Sequence, residues 1–95
     1  MSGNMDEVIR KRMCFFGGVQ GVGFRWRAKS AANAVSATGW VRNEYDGSVT
    51  MEIQGTEAQI DRVVQAIGNG LYVRIMHMEE ERIPTIPDER GFHAR

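Results

Sequence analysis

At 95 residues the chain has room for one domain, and a domain of that size buries a smaller fraction of its surface than a large one, so stability should be modest. It is 42% hydrophobic and 25% charged with a formal net charge of zero, which removes any bulk electrostatic pull toward nucleic acid or a membrane surface. A single cysteine, Cys14, excludes an internal disulfide, and no window is apolar for long enough to span a membrane.

Residues 1–7 are polar and lack the apolar region of a signal peptide. They read as a flexible N-terminal leader before one domain over residues 8–95, and a cytoplasmic location is expected. The first strand is predicted over residues 8–16, with Met13 and Phe15 facing one side and Cys14 and Phe16 the other. Cys14 reads as a small packing residue, since no histidine stands near it in sequence. Arg10-Lys11-Arg12 reads as a solvated strand end.

The first helix is predicted over residues 24–38. Phe24, Ala28, Ala31, Ala32 and Val35 form one apolar stripe, the alanines suggest close approach to a sheet, and Gly39 is a reasonable stop. A short second strand follows over residues 40–43. Asp46-Gly47 signals a hairpin into a third strand over residues 48–54, where Val49, Met51 and Ile53 alternate with Thr50 and Glu52. Thr56-Glu57-Ala58-Gln59 is a capping-box pattern. It opens a second helix running to about Ile67, with Ile60, Val63, Val64 and Ile67 inward and Gly68-Asn69-Gly70 ending it. A fourth strand is predicted over residues 73–81, with a bulge near Met76-His77 needed to bring Met78 into phase with Val73 and Ile75. Residues 91–95 read as a short final strand anchored by Phe92. Strand, helix, strand, strand, helix, strand is the α+β order of ferredoxin-like domains: two helices on one face of an antiparallel sheet, here with a short extra C-terminal strand.

Chemistry concentrates in Phe16-Gly17-Gly18-Val19-Gln20-Gly21-Val22-Gly23-Phe24-Arg25, between the first strand and the first helix. Glycines allow positive φ and inward-turned N–H groups, and such a concavity at a helix N-terminus is an anion site. Arg25 adds a charge with bidentate geometry for phosphate or carboxylate. Two commoner phosphate loops do not fit. No Gly-Lys-Ser/Thr follows, and Trp26 stands where the dinucleotide fingerprint needs a glycine. His77 and His93 have no companion at metal-ligand spacing.

A second segment, Gly39-Trp40-Val41-Arg42-Asn43 followed by Asp46-Gly47-Ser48-Val49, narrows the reading. Together with Gly17-Gly18-Val19-Gln20-Gly21-Val22-Gly23-Phe24-Arg25, it makes the chain resemble the acylphosphatase family over about residues 8–95. The resemblance implies metal-independent, cofactor-free hydrolysis of acyl phosphates to a carboxylate and inorganic phosphate. Arg25 would bind the phosphoryl group, Asn43 would orient the attacking water, and Gly18, Val19, Gln20, Gly21, Val22 and Gly23 would cradle the phosphate oxygens. Inorganic phosphate, as product, is then expected to inhibit competitively. Gln20 and Trp40 read as bracing and packing residues, and Asp46-Gly47 as turn chemistry. Two features depart from the family pattern: Gly18, where a larger and frequently basic residue is common, and Asn69-Gly70-Leu71-Tyr72, which lacks a common proline.

Two other readings compete. A non-catalytic ligand-binding or regulatory module would bind phosphate without turnover. An RNA-binding domain shares the element order, but it needs aromatics on its central strands; the first strand has Phe15 and Phe16 and the third has none, so no nucleic-acid partner is expected.

Overall fold

The computed structural model of the chain describes residues 6–71 and 74–95. Of the expected leader only Asp6 and Glu7 fall within the described residues, and Val73, the start of the expected fourth strand, lies outside them. The order is β1 (Val8–Gly17), α1 (Phe24–Ala34), β2 (Thr38–Asn43), β3 (Val49–Thr56), α2 (Glu57–Leu71), β4 (Ile75–Ile83) and β5 (Phe92–Ala94). The strands form one five-stranded sheet in the order β4-β1-β3-β2-β5. The first four pair antiparallel, as expected; β5 runs parallel to β2, so the sheet is mixed.

Alternation along the strands separates two faces. Ile9, Met13 and Phe15 of β1 share a face with Val41 of β2 and with Val49, Met51 and Ile53 of β3, and Phe24, Ala28 and Ala32 of α1 and Ile60, Val63 and Ile67 of α2 pack against them as one buried core. Ala28 and Ala32 are fully buried, as the alanine stripe predicts for a helix lying close on a sheet. Phe92 is also buried and ties β5 into that core.

The reciprocal capping box forms: Thr56 donates its N–H to Gln59 Oε1 (2.7 Å) and Gln59 its N–H to Thr56 Oγ1 (3.2 Å). Gln59 Nε2 also donates to the Val35 carbonyl (2.7 Å), joining the start of α2 to the end of α1.

The ends of both helices differ from expectation. α1 stops at Ala34, four residues before the expected end, and Gly39 is not its stop. Ser36 takes the left-handed position (φ 62°), the Ala37 N–H reaches back to the Ala32 carbonyl (2.9 Å), and the Ser36 N–H to that of Asn33 (3.2 Å). Gly39 lies within β2 at φ 139°, where a Cβ would run into the Glu52 carbonyl. α2 runs through Gly68-Asn69-Gly70 to Leu71. The absence of a side chain at Gly70 has a use, because a Cβ there would overlap the Arg27 guanidinium packed against it. A bulge does occur at Met76: Phe16 pairs with His77, Gly17 pairs with Ile75, and Met76 is the extra residue. It puts Met78, opposite Phe15, in phase with Ile75, opposite Gly17, as expected, but Met78 stays 38% exposed because β4 is an edge strand exposed along most of its length.

The largest correction concerns Arg10, which is fully buried on the sheet face away from the helices rather than a solvated strand end. It donates to Glu52 (3.0 Å), to Gln54 (3.3 Å) and through two nitrogens to Glu89 (2.6 and 3.2 Å). Gln54 in turn holds the Ile86 backbone through both atoms of its side-chain amide, Oε1 accepting from the Ile86 N–H (2.8 Å) and Nε2 donating to the Ile86 carbonyl (2.9 Å). The segment between β4 and β5 thus covers this part of the sheet.

Candidate active site

The turn from β1 into α1 is built by glycines with different duties. Gly17 has φ 125°, and a Cβ there would collide with the backbone of Arg74 and Met76. Gly21 (φ 76°) and Gly23 (φ 84°) need no packing space, since a Cβ at either would meet nothing within 4 Å. Their requirement is the left-handed backbone itself, together with the open ground in front of it. Gly23 is the N-cap of α1 and offers no side chain to cap it; the first turn carries no acidic residue, and the Arg27 N–H makes the first helical bond, to the Gly23 carbonyl (2.9 Å). The N–H groups of Phe24, Arg25 and Trp26 therefore stand ahead of the helical ladder at the positive end of the helix dipole.

Val19, Gly21, Gly23, Phe24, Arg25, Trp26 and Asn43 line one cavity of about 180 Å³ at this turn. Of the sequence-predicted site residues, the structure brings together Arg25, Asn43, Val19, Gly21 and Gly23. Gly18, Gln20 and Val22 do not line the cavity. The Gly18 N–H is already donated to the Arg74 carbonyl (2.9 Å), and Val22 is half-buried against the core. Gln20 reaches across to the β2–β3 hairpin, where its Nε2 donates to the carbonyls of Glu44 (2.7 Å) and Ser48 (2.9 Å). It is the brace expected of it, and it fixes the glycine loop against the hairpin that carries Asn43.

Asn43 closes β2 opposite Val49. The hairpin beyond it is tightened by Asp46, whose carboxylate accepts from the Ser48 hydroxyl (2.6 Å) and N–H (2.9 Å). Those bonds, the hydroxyl's first, hold the Asp46 carboxyl below its ordinary pKa. Glu44 is lowered as well, by the Thr50 hydroxyl and then by Arg42, whose Nη2 lies 3.1 Å from its Oε2. Both stay ionised near neutral pH and hold the turn.

Arg25 is exposed, and its Nη1 donates to the Arg95 carbonyl (2.9 Å). Arg95 is carried on β2 by its N–H to the Val41 carbonyl (2.8 Å). Its guanidinium lies over the Trp40 ring at 4.5 Å, with Arg42 at 5.0 Å from the same ring. Trp40 is thus the buried packing residue it was expected to be. His77 pairs with Glu79 and His93 with the Arg90 carbonyl; neither lines the cavity. Sequence reasoning missed Trp26 as a lining residue and Arg95 as a partner of Arg25. The place of Trp26 beside Arg25 on the first turn was available as a signal for the former; nothing local signals the latter.

The family model for acylphosphatases matches residues 11–94. An acylphosphatase of Oceanobacillus iheyensis is 41% identical over 81 residues, covering 83% of this chain and 89% of its own. One from Geobacillus thermodenitrificans is 39% identical over 77 residues, 80% of this chain and 82% of its own. Among solved structures, the acylphosphatase from Bacillus subtilis superposes with a TM-score of 0.83 at 27% identity, over 92% of this chain and 98% of that one.

Proposed function

The chain belongs to the acylphosphatase family, hydrolases of acyl phosphates, and from that premise we propose that Arg25, Asn43 and the glycine-rich loop carry the reaction. The observation that supports this is the convergence of Arg25 and Asn43, from separate elements, on one cavity faced by Gly21, Gly23 and an uncapped helix N-terminus. The phosphoryl oxygens sit on the N–H groups after Gly18 and on the first turn of α1, with the Arg25 guanidinium clamping two of them. Arg25 leaves the backbone oxygen of Arg95 for the phosphoryl group. Asn43 cannot act as a useful base. Its side-chain oxygen accepts a hydrogen bond from a water and holds it in line with the bond to be broken.

The water oxygen bonds to phosphorus as the bond from phosphorus to the acyl oxygen breaks, releasing the carboxylate. The water's proton passes to a phosphoryl oxygen, so atoms and charge balance without an acid or base from the protein. The leaving group is a carboxylate, weakly basic, and positioning with electrostatic stabilisation supplies most of the rate. Inorganic phosphate fits the same cradle and inhibits competitively.

The test is hydrolysis of benzoyl phosphate in the presence of a chelator. Arg25→Gln and Asn43→Ala should each lose about a hundredfold or more in kcat/KM, and Arg25→Gln should also weaken inhibition by phosphate. A pH–rate profile should show no enzyme group titrating near neutrality. A folded native chain that binds phosphate and turns nothing over would replace this reading with a binding module.

A further inference from the structure

The cavity has a polar part and an apolar part. Gly21 and Gly23 have only backbone to offer it, and Arg25 and Asn43 are its lining residues with polar side chains. Val19 and Phe24 also line it, but their side chains belong to the core: Val19 is 0% and Phe24 2% exposed, and the Phe24 ring packs on Phe15 with centroids 4.8 Å apart. Trp26 differs from both. It is 70% exposed, and among the described residues of the lining it is the one large apolar residue whose side chain is free of the core. A lone exposed aromatic is common on protein surfaces and needs no explanation by itself. Here the residue stands on the first helical turn, directly after Arg25, at a cavity whose other apolar lining residues, Val19 and Phe24, are spent on the core.

The geometry of the reaction says what should lie against it. In-line displacement at phosphorus puts the entering water and the departing carboxylate on opposite sides. Asn43 brings the water from the end of β2. The acyl group then leaves on the side away from β2, toward the wall supplied by α1. Consecutive helical residues project about 100° apart, so the Arg25 and Trp26 side chains diverge around that wall. One can hold the phosphoryl group while the other meets what is attached to it.

Resting on the acyl-phosphate reading above, we infer that Trp26 is the contact for the acyl group and selects substrates whose acyl part is flat and apolar. An aroyl phosphate stacks its ring on the indole in offset or tilted fashion. Acetyl and carbamoyl phosphates offer too little apolar surface to gain from the same contact.

The experiment compares kcat/KM for benzoyl phosphate and acetyl phosphate in the native chain, Trp26→Ala and Trp26→Phe, with inhibition by inorganic phosphate measured in each. Folding is not at stake in Trp26→Ala, since the site is an exposed helical position and alanine is the better helix former. The benzoyl-to-acetyl ratio of kcat/KM should fall about tenfold in Trp26→Ala. It should return most of the way in Trp26→Phe, with the phosphate inhibition constant moving far less than the ratio. A ratio that stays put in Trp26→Ala, or a phosphate constant that weakens as much as the ratio falls, overturns the inference while leaving the acyl-phosphate reading intact. A native chain inert on both substrates overturns the acyl-phosphate reading and takes this inference with it.

Discussion

Beneath residues 84–91, Arg10 has every side of its guanidinium engaged by Glu52, Gln54 and Glu89, with no exposed surface. At the mouth of the glycine loop, Arg25 is exposed and holds one backbone oxygen, that of Arg95. The side chains are chemically identical, and the difference lies in what the fold leaves unanswered. A buried cation is tolerated only when paired and hydrogen-bonded, so the Arg10 network is closed and can do nothing but hold structure. The N–H groups of the first turn of α1 have no helical or side-chain acceptor, and Arg25 spends one nitrogen on an exposed contact, so an anion can engage both. Binding sites are sought where satisfaction is incomplete.

Substitution at the two arginines should separate these roles cleanly. The largest effect is on catalysis: Arg25→Gln loses about a hundredfold or more in kcat/KM while its thermal midpoint stays near native, because the side chain supports nothing buried. Arg10→Met does the reverse. Glu89 loses the arginine that pairs it and Glu52 keeps only Arg12, at 3.9 Å, and each retains only 15–16% side-chain exposure through which to rehydrate. The expected loss is about 3 kcal/mol of stability, enough to lower Tm by roughly 12 °C or more in a domain of this size. Turnover per folded molecule at low temperature should remain native. Calorimetry and benzoyl phosphate kinetics on the same two preparations check both halves, and a crossed result would show that the closed network reaches into the site.

The contrast was only half legible in the sequence. Element order, the glycine turn, the capping box at Thr56 and the hairpin at Asp46-Gly47 are set by neighbours in sequence, and each was readable. What escaped depends on contacts between distant residues. Nothing in Arg10-Lys11-Arg12 says that Glu89 will fold over the first of the three. Gly68-Asn69-Gly70 carries a local stop signal, yet the helix continues, with Gly70 leaving room for Arg27. Ser36 takes the left-handed position that glycine usually fills because the chain must turn there to reach β2. Arg25 and Asn43 stood out as candidates through paired motifs, whereas Trp26 became notable only once its burial could be compared with that of Val19 and Phe24.

Acid should weaken the Arg10 network. Burial pushes the Glu89 carboxyl up, but hydrogen bonds from Arg10 and Thr38 and the charge of Arg10 more than offset it, so its pKa lies below the ordinary 4.5. Stability from this carboxylate is therefore fully present above 4.5 and is lost as pH falls through the lowered folded-state value. Glu89→Gln should cost about 1.5 kcal/mol near pH 7. The gap in Tm between native chain and variant should then close progressively below pH 4.5. A gap that stays constant down to strong acid would show that Glu89 contributes by packing rather than by charge.

The smallest effect belongs to Gly18, which sits beside the cradle without lining it. Its N–H serves Arg74, its φ is not in the left-handed range, and the nearest atom to a Cβ built there is Arg74 Cδ at 3.8 Å. Neither backbone nor space requires glycine, so Gly18→Lys should fold with Tm within a degree or two of native. A lysine there adds one positive charge near the cavity rim. Through water, at roughly 8–10 Å from a doubly charged phosphate, that is worth about 0.5–1 kcal/mol, or a two- to fivefold tighter phosphate inhibition constant. Because the added charge is exposed, the gain should shrink toward nothing as ionic strength approaches about 1 M. An Arg25→Gln background should keep that small salt-sensitive increment while lacking the large salt-resistant one. If Gly18→Lys instead restored most of the binding lost with Arg25, the cradle would be an electrostatic basin in which any nearby cation serves, and the geometric role assigned to Arg25 would fall.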